Sequence, residues 1–259
     1  MPNHVTNQVR VTGNAESLAK FKAQMFVPGQ PDSVSIDSEG IEGLVFDFNG
    51  IIPMPEELNI TEGSITYAME AWNKIDASCP GFGELLKKIK PPLYERLKQH
   101  VSEYIDLDKV TKGDVENLFK QQPSLADKCN IDLEYGEKIR RNTELYGFPT
   151  WYPWCLSFWG TKWNAYHQHL GYFNDGEIYI EFDTAWSPPE PVFAAIAQAY
   201  PDLSMEIRYI DEGGGFAGTF TAQDGCLHDE PCPDEDFREF SKEYFGWSYD
   251  WEYDGEDGE

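Results

Sequence analysis

The sequence predicts an α+β fold: a ferredoxin-like split βαβ sandwich with a large helical insertion and an acidic, aromatic C-terminal tail. Three observations carry this reading. Apolar residues alternate with period 2 near both ends of the chain, and the runs at Val5–Val11 and Ile178–Phe182 are each followed by a helical period. Residues 57–147 keep helical periodicity with little β-branching. The last 36 residues, 224–259, hold 14 of the chain's 46 acidic side chains but only 2 of its 20 basic ones. Strand, helix, strand, helical block, strand, helix, strand and strand, in that order, match an antiparallel sheet with its helices on one face.

Val5, Asn7, Val9 and Val11 share one face of a first strand, with Thr6, Gln8 and Arg10 on the other, and Thr12-Gly13 closes it. Asn14 is suited to cap a helix in which Leu18, Phe21 and Met25 recur, and Pro28-Gly29 ends it. Leu44 to Asn49 read as a second strand, left at Pro53 because proline has no ladder donor. The helical block holds periodic stretches at Tyr67–Asp76, Pro92–Ile105, Asp114–Gln122 and Leu133–Tyr146. Thr111 with Asp114 resembles a capping box, and Pro91-Pro92 suits a first helical turn. Ile178, Ile180 and Phe182 give the next strand, and Val192, Phe193, Ile196 and Ala197 a helix. Met205, Ile207 and Tyr209 then pair through the Gly213-Gly214-Gly215 turn with Phe216, Gly218 and Phe220.

One mainly antiparallel sheet is therefore expected from residues 3–12, 43–49, 177–186, 204–211 and 216–222, with helices 14–26 and 190–200 on the same face. The domains are expected at 1–56 with 148–222 for the sandwich, 57–147 for the helical insertion and 223–259 for the acidic extension. Within that extension Asp234 is expected to cap a helix bearing Phe237, Phe240 and Tyr244. Trp247, Tyr249, Trp251 and Tyr253 then alternate with polar residues.

A net charge of −26 repels phosphate backbones, so no direct nucleic-acid binding is expected. The chain has neither a run of eighteen apolar residues nor a leader pattern at its start, which predicts no membrane span and a cytoplasmic location. Five scattered cysteines at 79, 129, 155, 226 and 232 read as free thiols.

The densest unusual cluster is Trp151, Trp154, Trp159 and Trp163 with Cys155, Lys162 and Asn164, which Asp183 and Trp186 could join across the fold. It reads either as core, with Asn164 and Lys162 satisfying turn carbonyls and Asp183, or as a ligand cleft formed by Trp154, Trp159, Lys162, Trp163, Asn164, Asp183 and Trp186. If it is core, Trp159→Ala or Trp163→Ala should cost roughly 3–5 kcal/mol. No metal or other cofactor is expected. Cys226, His228 and Cys232 lack the paired halves of a zinc site, and His167 and His169 read as exposed histidines sharing a strand face. Asp250, Glu252 and Asp254 begin like a calcium loop without its closing glutamate. No nucleophile motif or phosphate loop is present, and no enzymatic role is predicted.

Several phrases together resemble the YubB-like family carried by conjugative plasmids and phages. These are Asn7 with Val9-x-Val11-Thr12-Gly13; Phe46-Asp47-Phe48-Asn49 through Pro55; Trp151 to Ala165; Phe182-x-Thr184-Ala185-Trp186-Ser187-Pro188-Pro189; and Gly213-x-Gly215-Phe216-Ala217-Gly218. The chain departs from the family at His4-Val5, where a Trp-Cys pair is usual. The resemblance implies a ferredoxin-like C-terminal part and a mobile-element accessory role. With the acidic end it leads to the expectation of an inhibitor of a host protein with a basic surface, such as a defence factor. Carboxylates would imitate nucleic acid there, and the contact residues would be Trp247, Asp250, Trp251, Glu252, Asp254, Glu256 and Asp257. The alternative is a small-ligand-binding protein or enzyme using the Trp-rich cleft.

Overall fold

The alternation of Val5, Val9 and Val11 places three fully covered side chains on one face of strand β1 (His4–Thr12). The computed structural model describes residues 3–34, 43–174 and 176–248. The chain divides into two compact units, Met1–Met54 with Cys155–Glu259, and Pro55–Trp154.

In the first unit β1 leads into helix α1 (Ala15–Met25), capped by the Asn14 side chain, which accepts from Ser17 N. Short strands β2 (Phe26–Pro28), β3 (Ser33–Val34) and β4 (Leu44–Phe46) follow. The second unit contains helices α2 (Ser64–Asn73), α3 (Phe82–Ile89), α4 (Pro91–Val101), α5 (Lys112–Gln121), α6 (Pro123–Cys129) and α7 (Leu133–Tyr146). Helix α8 (Trp151–Phe158) comes next. The chain then runs through β5 (Tyr166–Phe173), β6 (Glu177–Ala185), helix α9 (Glu190–Ala199), β7 (Ser204–Asp211), β8 (Ala217–Gln223), β9 (Cys226–Pro231) and helix α10 (Phe237–Phe245).

Seven strands form one sheet in the order β3-β5-β6-β1-β7-β8-β9, antiparallel except for the β3–β5 pair. Its centre, β5-β6-β1-β7 with α1 and α9 in the two crossovers, is the ferredoxin-like arrangement. Val9 sits between Ile180 and Ile207 on the neighbouring strands. Both helices cover that face: α1 buries Leu18, Phe21 and Met25, and α9 buries Val192, Phe193 and Ile196. An aromatic chain of Phe21, Phe46, Phe182, Phe193 and Phe220 links them, with neighbouring centroids 5.5–6.5 Å apart. Buried aromatic pairs of this kind add to the area they remove from water.

One expected strand is displaced. Residues 43–49 do not join the sheet: Leu44–Phe46 pairs with Phe26–Pro28 in a separate two-stranded ribbon, and a 3-10 turn at Phe48–Gly50 follows. Asp47 enforces the turn by accepting from Asn49 N at 2.8 Å. The place beside β6 belongs to β5, whose alternation is broken by a bulge between Tyr166 and His169 and by a buried glutamine, Gln168. Helix α1 likewise stops at Met25, before Pro28, because the ribbon begins at Phe26.

Strand β9 lies within the stretch expected as a C-terminal extension and pairs along its whole length with β8 as an edge strand of the sheet. Helix α10 starts after Asp236, not Asp234, and no side chain caps it. The turn between β7 and β8 uses Gly214 at φ 72°, a left-handed conformation that glycine adopts without strain. Gly218 is required by close approach, since a Cβ there would lie 2.4 Å from the Tyr209 hydroxyl and 2.9 Å from the Glu230 carbonyl.

The second unit packs its own core around Trp72, Phe82, Leu86, Tyr94, Leu97 and Phe119. Trp72 meets Phe82 edge-on at 5.0 Å and donates its indole N–H to Glu116 at 3.0 Å. Lys112 donates to the Trp72 carbonyl, and burial pushes its ammonium below its ordinary value. Among the described residues no helix is long and apolar enough to cross a membrane.

Candidate functional site

The face of the sheet opposite α1 and α9 carries the polar members of each alternation. On β1 these include His4, Thr6, Gln8 and Arg10, and on β6 Glu181 and Asp183. Tyr166 pairs with Asp183 across β5 and β6, and the bulge that follows holds His167 at φ 48°, uncommon for a residue with a side chain. The bulge turns the His167 ring onto Asp183, with Nδ1 2.9 Å from Oδ2. Thr6 donates to the other carboxylate oxygen at 2.8 Å. His4 stacks on His167 at 5.7 Å, its Nδ1 lies 2.8 Å from the Tyr166 hydroxyl, and its backbone N–H donates to Glu212. Burial, with Asp183 and Glu212 nearby, pushes the Tyr166 hydroxyl up to about 12, so it stays protonated at neutral pH.

Beside the sheet's other edge, β9, the turn after it and α10 expose Asp229, Glu230, Asp234, Glu235, Asp236, Glu239 and Glu243. An open groove of about 680 Å³ adjoins them, lined by the aromatics Tyr209, Phe216, Phe220 and Phe237, by the carboxylates of Glu190, Asp229 and Asp234, and by one basic side chain, Arg238. Tyr209 donates its hydroxyl to Asp229 at 2.9 Å, and burial together with this bond raises the hydroxyl's pKa. Helix α10 is tied to the sheet: Gln8 donates to the Tyr244 carbonyl at 3.2 Å, and the Arg208 guanidinium lies 4.2 Å from the Tyr244 ring. Trp247 follows, partly covered, its ring against Phe245 and its backbone N–H donating to the Ser241 carbonyl. Of the contact residues expected at this end, Trp247 is the described one. Asp250, Trp251, Glu252, Asp254, Glu256 and Asp257 lie outside the described residues.

The residues of the Trp-rich cluster have different surroundings. Trp154, within the second unit, and Trp159 are buried. Trp159 donates to the Ile52 carbonyl at 2.9 Å and meets Phe48 edge-on. Asn164 bonds neither turn carbonyls nor Asp183: its Oδ1 accepts from Phe48 N and Ala165 N, and its Nδ2 donates to Asp47 at 2.6 Å. It fixes the start of the 3-10 turn. Lys162 lies over Trp163 at 4.4 Å and Trp186 at 5.0 Å, two exposed indoles that hold its ammonium by cation–π attraction. Asp183 joins neither, being held by Thr6 and His167. His167 and His169 take different partners, since His169 bonds Ser33 at 2.7 Å.

Residues 158–253 match a family described as the ferredoxin-like domain in Api92-like protein. The match covers the C-terminal part of the ferredoxin-like arrangement, whose β1 and α1 are supplied by residues 4–25. The matched description names Api92-like proteins where the sequence phrases had resembled the YubB-like family. Among solved structures the chain is similar to a crystal structure of protein Api92 from Yersinia pseudotuberculosis, 12% identical, with 90% of this chain and 99% of that one covered and a TM-score of 0.39. No curated protein matches.

Sequence reasoning missed the group formed by His4, Tyr166, His167 and Asp183. A signal was present in the alternation, which sets His4 and Thr6 opposite the valines and Asp183 opposite Phe182. The register that makes them neighbours was not.

Proposed function

We propose that the chain is an accessory protein of a mobile genetic element, phage or plasmid, that binds a basic host protein through its acidic edge and occupies a surface shaped for nucleic acid. The observation that carries this reading is the groove beside β9. Its aromatic lining and carboxylates suit an inserted lysine or arginine, because the cation gains both ring faces and charge pairing. The exposed acids from Asp229 to Glu243 extend the same field along one edge and favour fast, salt-sensitive encounter with a basic partner.

The test is capture of a basic protein from host lysate at low salt, followed by affinity measurement against purified partner. A triple variant Asp229→Asn, Asp234→Asn, Glu235→Gln should bind more weakly and with a flatter salt dependence, and duplex DNA should compete with the parent chain. Equal affinity and an unchanged salt slope in the triple variant would remove the proposal.

A further inference from the structure

The geometry points to a divalent transition-metal site at the open end of the sheet, formed by His4, His167 and Asp183, with zinc-class ions as its ligand. One ring nitrogen of each histidine and one carboxylate oxygen of Asp183 lie within 4.8 Å of one another. Among the described residues this is the one group of three such side chains brought that close. Cys226, His228 and Cys232 are not.

The donor set is two imidazoles and one carboxylate, the combination that holds zinc and related ions at about 2.0–2.2 Å while leaving positions open. Metal sites are recognised as much by what orients the ligands as by the ligands themselves. Here each ligand is oriented by a separate device. Tyr166 holds His4 at Nδ1, which leaves Nε2 for a metal. Thr6 holds Asp183 at Oδ1, which leaves Oδ2 turned toward His167. The bulge at His167 keeps a non-glycine residue at φ 48°, a conformation that needs support from its surroundings, and aims its ring at the carboxylate. The His167 and Asp183 donors already meet in a 2.9 Å hydrogen bond, which an ion would replace by drawing both atoms to itself. His167 is exposed, so an ion could enter from solvent and the remaining positions would face it. A bound ion would there act on an incoming carboxylate, phosphate or carbonyl oxygen as a Lewis acid.

Titration of the full chain with Co²⁺ alone, followed by absorption spectroscopy and by calorimetry with Zn²⁺, tests the site. One equivalent should bind, with the visible bands of a nitrogen- and oxygen-ligated Co²⁺. His167→Ala and Asp183→Asn should each abolish that equivalent while the metal-free melting temperature stays close to the parent's. Tyr166→Phe, which removes only the orienting hydroxyl, should weaken binding roughly 10–100-fold. The control, Cys226→Ser with His228→Ala, should leave binding intact. Absence of a stoichiometric ion in the parent, or its persistence in His167→Ala, or its loss in the control, would overturn the assignment.

Discussion

Gln168 joins Phe46 through both polar atoms of its side-chain amide: Oε1 accepts from Phe46 N at 2.7 Å and Nε2 donates to Phe46 O at 2.9 Å. One side chain thereby does for β4 what a neighbouring strand would do. It explains how a three-residue strand lies against the sheet's aromatic chain without pairing with the sheet.

Gln168→Ala should accordingly leave a buried N–H and C=O of Phe46 without partners, at about 1–3 kcal/mol for each group. Gln168→Glu keeps an acceptor but sets a carboxylate against the Phe46 carbonyl, and should be no more stable. Urea unfolding of both variants measures this; a parent-like midpoint in either would show that the ribbon is held by its apolar contacts alone.

The two tryptophans at 159 and 163 should separate. Trp159→Ala removes a buried indole with its bond to Ile52 and should cost roughly 3–5 kcal/mol. Trp163 is 36% exposed and meets Lys162 at the surface, so Trp163→Ala should cost less than about 1 kcal/mol, contrary to what its sequence setting implies. Thermal melts of the pair decide it.

Thiol labelling should follow burial. Burial pushes the Cys129 thiol up to about 11 and Cys155 up to about 12, so neither forms thiolate at pH 8 in the folded chain. Cys226 is exposed on β9. Iodoacetamide at pH 8, read by mass spectrometry, should modify Cys226 readily, with Cys129 and Cys155 labelled only after unfolding.

The capping box of α5 should make that helix acid-sensitive. Thr111 donates both its backbone N–H and its hydroxyl to Asp114, which holds this carboxyl below its ordinary value. A carboxyl lowered by folding stabilises the native state above its unfolded value, and the contribution is lost as pH falls through the folded value. Amide-exchange protection across α5 should therefore drop below about pH 4, and drop less in Asp114→Asn. Thr111→Ala should cost about 1 kcal/mol at neutral pH.

What the sequence revealed was periodic and local. Val5 to Val11, Ile178 to Phe182 and the caps at Asn14 and Thr111 are set by residues within one or two turns of each other, and the structure has them. β5 showed only as a strand face under His167 and His169, and its place in the sheet was hidden because the bulge at His167 and the buried Gln168 break its apolar alternation. β4 was misassigned for the converse reason: Leu44, Val45 and Phe46 read as a strand, while the side chain that pairs with Phe46 lies over a hundred residues away. The metal-ligating group was illegible on the same ground, since His4 meets Asp183 through a register that only the folded sheet sets.

Strand β1 lies at the centre of the sheet, and its neighbours β6 and β7 begin at residues 177 and 204. Strand β1 thus leaves the ribosome long before either strand it pairs with. At synthesis rates of about 5–20 residues per second, roughly 10–40 s separate its emergence from that of β7. Until β6 emerges, Val5, Val9 and Val11 have no sheet to enter, and both edges of the strand are open to pairing with another nascent chain. Cys155 returns the chain beside Met54, Sγ to Sδ 3.8 Å, so this contact too waits for the hundred residues made in between. The centre of the sheet is made before the strands that flank it, and assembly must wait for them.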